Sequence, residues 1–206
     1  MVVVFADLAG FTALTEAHGD EEAVEVVDAF EEIVRSAADE HGLRLVKNIG
    51  DAFMLCGEHP NKALAACLQI AARVAQLESA PGVRIGVHTG EIVERGDDLF
   101  GNTVNLAARV AAEATSGQIL VTRSILSETE LSDDIRPRSA GARVLKNLKE
   151  PIELFDVSLE SVAKELDPVC RMMLTPESAT ASLRHQHRTY YFCSSDCLKR
   201  FLNDLD

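Results

Sequence analysis

Apolar residues recur along this chain in two rhythms, one of strand length and one of helical period, and their order predicts most of the fold. Val2 to Ala6 is a continuous apolar run of strand length that ends at Asp7. Leu8 to Thr12 reads as a short turn into a helix. From about Glu21 to Glu40, Val24, Val27, Phe30, Ile33, Val34 and Ala37 recur at helical spacing, with Gly42 as the stop. Leu45 to Met54 reads as two short strands about a tight turn, because apolar runs flank Asn48 and Gly50, residues that tolerate hairpin backbone angles. A second amphipathic helix covers about Asn61 to Glu78, and Pro81-Gly82 ends it ahead of a strand from Val83 to Val93. Beyond it the pattern predicts an Ala-rich helix from Gly101-Asn102 to Ala114, a strand from Gln118 to Thr122 and a helix near Arg123 to Glu130. A last pair of strands is expected around Arg143 to Leu145 and Glu153 to Ser158, with Lys146 and Lys149 in the turn between them.

Strand, helix, strand, strand, helix, strand is the ferredoxin-like, split βαβ order of an α+β fold. In that topology the first and third strands lie side by side and antiparallel, so Asp7 at the end of one meets Asp51 at the beginning of the other. Two adjacent carboxylates repel one another unless a cation lies between them. Oxygen-only ligation, with water and phosphate completing the shell, suits Mg²⁺ or Mn²⁺. Asn105 and Arg109 stand at i and i+4 and so share a helix face. Spacing alone leaves that face open to solvent or to a ligand. It likewise leaves Lys47, near the hairpin turn, and Lys146 as charges that water can satisfy.

Composition narrows the function classes. The net charge of −13 is uneven: from Asp167 onward five Lys/Arg balance five Asp/Glu, so the first 166 residues carry the whole excess. An acidic body excludes a phosphate-backbone binder, which needs a basic stripe, so no nucleic-acid partner is expected. It permits a nucleotide enzyme, where a divalent metal and a few cations neutralise phosphates locally. No apolar run is long enough to span a bilayer, and Asp7 interrupts the N-terminal one, so a cytoplasmic location is expected. Cys56 and Cys67 sit in apolar surroundings as buried cysteines do. The other three cluster in the tail, which in a reducing compartment points to metal or redox chemistry rather than structural disulfides.

Four motifs in order, Phe5-Ala6-Asp7-Leu8-Ala9-Gly10-Phe11-Thr12, Val46-Lys47-Asn48-Ile49-Gly50-Asp51, Ile85-Gly86-Val87-His88-Thr89-Gly90 and Asp98 to Arg109, closely resemble the catalytic domain of class III nucleotidyl cyclases over about residues 1–160. The resemblance implies that Asp7 and Asp51 bind two Mg²⁺ or Mn²⁺ ions per active site, one aiding loss of the ribose 3′-hydroxyl proton and one holding the polyphosphate. It implies that Lys47 and Asp98 read the purine. Asp98 accepts from the exocyclic amine of adenine while Lys47 donates to a ring nitrogen, and GTP-selective members typically carry Glu and Cys-like residues there, so ATP is the expected substrate. Asn105 would orient the ribose, Arg109 would stabilise transition-state charge, and Lys146 matches the phosphate-binding lysine, although Asn147 stands where Gly is common. Family members share each site across a head-to-tail dimer, and since this chain carries all six core residues a homodimer with two complete sites is implied. An alternative is a cyclase-fold regulatory protein of weak turnover that binds nucleotide or senses metal.

After a linker at 161–166, residues 167–206, through Asp167-Pro168-Val169-Cys170, Tyr190 to Cys197 and Phe201, resemble the YHS domain and the related TRASH-type module. The resemblance implies a soft or borderline metal, Zn²⁺ or Cu⁺, on Cys170, Cys193 and Cys197, with His185 or His187 as a candidate fourth ligand. A structural or redox role for the thiols is the rival reading. Arg171 replaces the Gly usual after the first cysteine.

Overall fold

Alternation along the first strand sets up a sheet buried on both faces. In the computed structural model, which describes residues 1–77, 80–131, 135–146, 148, 150–158, 165–186 and 188–205, strand β1 (Val2–Leu8) sends Val2, Val4, Ala6 and Leu8 into one apolar cluster and Val3 and Phe5 into another. A central strand with helices on both sides needs such an uninterrupted apolar run. The chain continues through α1 (Phe11–His18), α2 (Asp20–His41), β2 (Arg44–Ile49), β3 (Ala52–Gly57), α3 (Pro60–Val74), β4 (Val83–Thr89), β5 (Val93–Arg95), β6 (Asp98–Phe100), α4 (Asn102–Glu113), β7 (Ile119–Thr122) and α5 (Arg123–Ser127). It closes with β8 (Arg138–Arg143), β9 (Ile152–Asp156), β10 (Glu165–Leu166), β11 (Met173–Leu174), β12 (Ala181–His185), β13 (Arg188–Phe192) and α6 (Ser195–Asn203).

The main sheet has seven strands in the order β2-β3-β1-β4-β7-β9-β8. Its first four form the ferredoxin-like antiparallel core, with β1 between β3 and β4. β7 then adds parallel to β4, and β9 and β8 extend the edge antiparallel. Helices α2 and α3 cover one face; Phe30 of α2 meets Phe53 of β3 edge-on at 5.1 Å between ring centroids, and both are fully buried. Helix α4 covers the other face, where Ala107 and Ala111 join Val3, Phe5 and Met54. Its approach is close enough that a Cβ on Gly86 of β4 would lie 2.1 Å from the Ala111 backbone nitrogen. Only glycine fits there, which is a packing reason for that residue.

Three elements depart from the sequence expectation. The strand expected over Val83 to Val93 ends at Thr89, because Thr103 of α4 donates its hydroxyl to the Glu91 carbonyl and turns the chain away. Val93–Arg95 instead pairs with Asp98–Phe100 in a separate two-stranded ribbon. The helix expected over Asn61 to Glu78 closes at Val74, and Glu78 lies outside the described residues. The strand expected at Arg143 to Leu145 is Arg138–Arg143, a sheet edge of mostly exposed residues, while Leu145 is buried in the turn beyond it.

The tail packs on the body rather than beside it. Cys170, Met172, Leu174, Phe192 and Cys197 belong to the same buried cluster as Val26, Phe30 and Ile70. Met172 bridges to Pro81, and the Met173 amide donates to the Ala80 carbonyl at 3.3 Å. Arg171, at the position where glycine is usual in the resembled module, holds a left-handed backbone with φ 67. Its side chain covers Gly10, whose missing Cβ would stand 2.7 Å from Arg171 Cβ. A conformation natural to glycine is thus kept by a side chain that packs on the turn after Asp7.

Candidate active site

The antiparallel register of β1 against β3 sets Asp7 opposite Ala52, next to Asp51 in the hairpin turn. Asp51 is pushed up to about 6, first by burial, then by the charge of Asp7 and a hydrogen bond with it. The register of β1 against β4 sets Asp7 opposite Arg84, and Arg84 Nε donates to Asp7 Oδ2 at 2.6 Å, with Nη2 on the same oxygen. The charge that relieves this carboxylate pair in the chain itself is therefore a guanidinium. Sequence reasoning missed Arg84. Its signal was a lone cation near the start of an apolar strand, readable only once the β1–β4 register is known.

A second group forms 51 residues apart in sequence. Lys47, on β2 opposite Met54, extends Nζ to both carboxylate oxygens of Asp98 on β6, each at 2.6 Å. The Leu99 amide also donates to Asp98 Oδ1 at 2.8 Å, and with Lys47 it holds the Asp98 carboxyl below its usual range, the lysine being the larger cause. Phe100 lies beneath the ammonium at 6.0 Å from its ring centroid. A lysine has three donors and a carboxylate about four acceptor directions, so the two can hold each other and still offer one donor and one acceptor outward.

Helix α4 starts at Asn102 and buries Leu106, Ala107, Val110 and Ala111. Asn105, exposed, and Arg109, half-buried, flank that face one turn apart. Among the described residues neither side chain has a hydrogen-bond or ion-pair partner. Lys146 is exposed in the turn between β8 and β9, anchored by buried Leu145; Asn147 and Lys149 lie outside the described residues. The chain thus brings together Asp7 with Asp51, and Lys47 with Asp98, as two groups, with Asn105 and Arg109 on a third element.

In the tail Cys170, Cys193 and Cys197 converge, and the histidine that joins them is His18 of α1. His185, at the end of β12, is not in that cluster, and His187 lies outside the described residues.

Comparison with known proteins shows the family and the fold. Residues 1–155 match the family described as the adenylate and guanylate cyclase catalytic domain, and the chain belongs to it. An adenylate cyclase of Streptomyces coelicolor is 36% identical over 142 residues, covering 69% of this chain and 36% of that protein. The chain spans only about a third of the length of such curated relatives. Among solved structures, an adenylate cyclase from Trypanosoma brucei in its monomeric state superposes with a TM-score of 0.69 at 23% identity, covering 79% of this chain and 91% of that one. The guanylate cyclase domain of RhGC from Catenaria anguillulae, in complex with GTP, gives 0.65 at 18% identity, covering 78% and 96%. These two likenesses show the fold. No helix among the described residues is long and apolar enough to cross a membrane.

Proposed function

We propose that this chain is the catalytic part of an adenylate cyclase, converting ATP to 3′,5′-cyclic AMP and pyrophosphate at sites shared between two copies. The observation that carries the reading is the meeting of Asp7 and Asp51, in a member of the cyclase family. Their oxygen-only donor set fits Mg²⁺ or Mn²⁺, and the repulsion from Asp7 that, after burial, raises Asp51 is what a divalent cation would relieve. When bound, such a metal pair stabilises negative charge on the entering 3′-oxygen and the leaving pyrophosphate oxygen.

The chain's own residues do the rest. Lys47 and Asp98 present a donor and an acceptor matched to the adenine edge, the order that guanine would meet wrongly. Asn105 orients the ribose so that the 3′-oxygen faces the α-phosphorus. As that oxygen bonds to phosphorus and the bond to the pyrophosphate oxygen breaks, Arg109 neutralises charge on the non-bridging oxygens. Lys146 holds the departing phosphates. Asn105 and Arg109, with no partner among the described residues, are free to do this for a ligand bounded by a second copy. Exposed Ile49, Val93 and Phe100, at the hairpin tip and on the β5–β6 ribbon, supply apolar surface for that second copy to cover.

One observation favours a second reading, a regulatory protein of weak turnover: Asp7 is already engaged by Arg84. Incubating the purified chain with Mg²⁺ or Mn²⁺ and either ATP or GTP, and identifying the products by mass, separates the two. Cyclic AMP with equimolar pyrophosphate supports the cyclase; nucleotide left unchanged with either cation supports the regulator.

A further inference from the structure

Four potential ligand atoms, the Sγ atoms of Cys170, Cys193 and Cys197 and a ring nitrogen of His18, lie within 4.8 Å of one another. The sulfurs of Cys170 and Cys193 are 3.4 Å apart, those of Cys193 and Cys197 3.6 Å, and His18 Nε2 stands 3.5 Å from Cys193 Sγ and 3.9 Å from Cys197 Sγ. A tetrahedral ion with metal–sulfur bonds of about 2.3 Å and a metal–nitrogen bond of about 2.0–2.1 Å would space its ligands about 3.8 Å for sulfur pairs and about 3.6 Å for sulfur–nitrogen pairs. The two sulfur–nitrogen edges straddle that value and the two sulfur–sulfur edges fall about 0.2–0.4 Å short of theirs, a contraction that an ion between the sulfurs would relieve. They are far from the disulfide bond of about 2.05 Å, and all three cysteines are free.

The surroundings are built to hold this arrangement. Asp167, fully buried, accepts the amides of Val169 at 2.8 Å and Cys170 at 3.3 Å on one oxygen and that of Cys193 at 2.8 Å on the other. It thereby fixes the two segments that carry the first and second thiols. Ser194 caps α6 by accepting the Cys197 amide at 3.1 Å, which sets the third. His18 turns Nε2 to the sulfurs while its Nδ1 faces Glu22 Oε1 at 3.5 Å. A carboxylate behind a histidine is the arrangement that fixes a metal-ligating tautomer.

We propose that Cys170, Cys193, Cys197 and His18 form a closed, four-coordinate site for Zn²⁺, in which the cyclase fold itself supplies the fourth ligand. Three thiolates and one imidazole leave no open position, so the site is structural rather than hydrolytic. It is separate from the oxygen-lined Asp7–Asp51 pair and prefers a softer ion. Its consequence is mechanical. The three thiols come from the tail, and His18 closes α1, the helix that begins just after the Asp7 turn. One ion therefore clasps the tail to the catalytic body, alongside the Arg171 contact with Gly10 and the hydrogen bond from Arg200 Nη1 to the Glu16 carbonyl.

The test uses the full chain, stripped with a chelator, reloaded with Zn²⁺ or Co²⁺ and dialysed. Elemental analysis should find one zinc per chain, and Co²⁺ should give the intense visible bands of a tetrahedral site with sulfur-to-cobalt charge transfer. His18→Ala should lower zinc affinity at least about tenfold and shift the cobalt bands, Glu22→Gln should weaken binding by a smaller factor in the same direction, and His185→Ala should change neither. Zinc should also shield the three tail thiols of the wild-type chain from a thiol reagent, a readout that needs no variant to fold. Absence of retained zinc, equal thiol reactivity with and without it, or a His18→Ala protein with wild-type affinity and cobalt spectrum would overturn the proposal.

Discussion

Arg84 and Asp7 face each other across two antiparallel strands, the guanidinium Nε 2.6 Å from the carboxylate, at the position where the catalytic reading requires a divalent cation. Protein cation and metal thus compete for one charge. Arg84→Ala should lower stability by about 1 kcal/mol without divalents, the worth of a partly exposed pair. Added Mg²⁺ or Mn²⁺ should then raise the melting temperature of the variant more than that of the wild type. An equal deficit with and without the ion would place the cation elsewhere.

Asp51 makes a prediction about pH. Its folded value of about 6 lies above the ordinary 3.8, so the stability that goes with its protonation is present below about pH 4 and is lost as pH rises through about 6. Asp51→Asn stays neutral throughout. Without divalents it should match the wild type at pH 4 and exceed it above pH 6 by on the order of 1 kcal/mol, less than the full shift implies because the group is partly solvated. Melting curves across pH 4–8 check this. At pH 7.5, Mn²⁺ should stabilise the wild type and not the variant.

Gly86 and Ala111 set where α4 lies. Gly86→Val puts a side chain into a gap that a Cβ alone overfills, at 2.1 Å from backbone, and should cost about 1–3 kcal/mol in a denaturant titration. Turnover assayed well below the melting temperature should fall by more than the lost folded fraction, because Asn105 and Arg109 ride on the displaced helix.

Lys47 and Asp98 set base choice in the proposed site. Lys47→Glu combined with Asp98→Cys should move the ratio of kcat/KM for ATP over GTP toward GTP by at least about tenfold, since the new carboxylate accepts from guanine's ring N–H and amine where the lysine would set donor against donor. Steady-state kinetics with both nucleotides measure it, and an unchanged ratio would remove the pair from base recognition.

The contrast between legible and hidden features is physical. The helix over Asp20–His41 and the strand over Val2–Leu8 were readable because burial on a known face forces a period on the sequence. The β5–β6 ribbon was not, because three-residue strands with mostly exposed side chains carry no such period. β8 escaped for the same reason, reading Arg-Ser-Ala-Gly-Ala-Arg at a sheet edge. In the site, Asp7 and Asp51 were readable because strand order alone brings them together. Arg84 required the register of a second strand pair. His18, 175 residues from Cys193, required the way the tail folds back on α1, which no local pattern encodes.

The most direct measurement mixes two inactive chains. In the proposed site Asp51→Ala removes a metal carboxylate and Arg109→Ala removes the transition-state cation, so each alone should form little cyclic AMP from ATP and Mn²⁺. If one catalytic centre draws its halves from two copies, mixing and equilibrating the variants yields heterodimers with one intact site, and cyclic AMP formation should recover to at most about a quarter of the wild-type rate at equal mixing. Recovery of that kind is the predicted result. Variants that dimerise together yet stay inactive would contradict it.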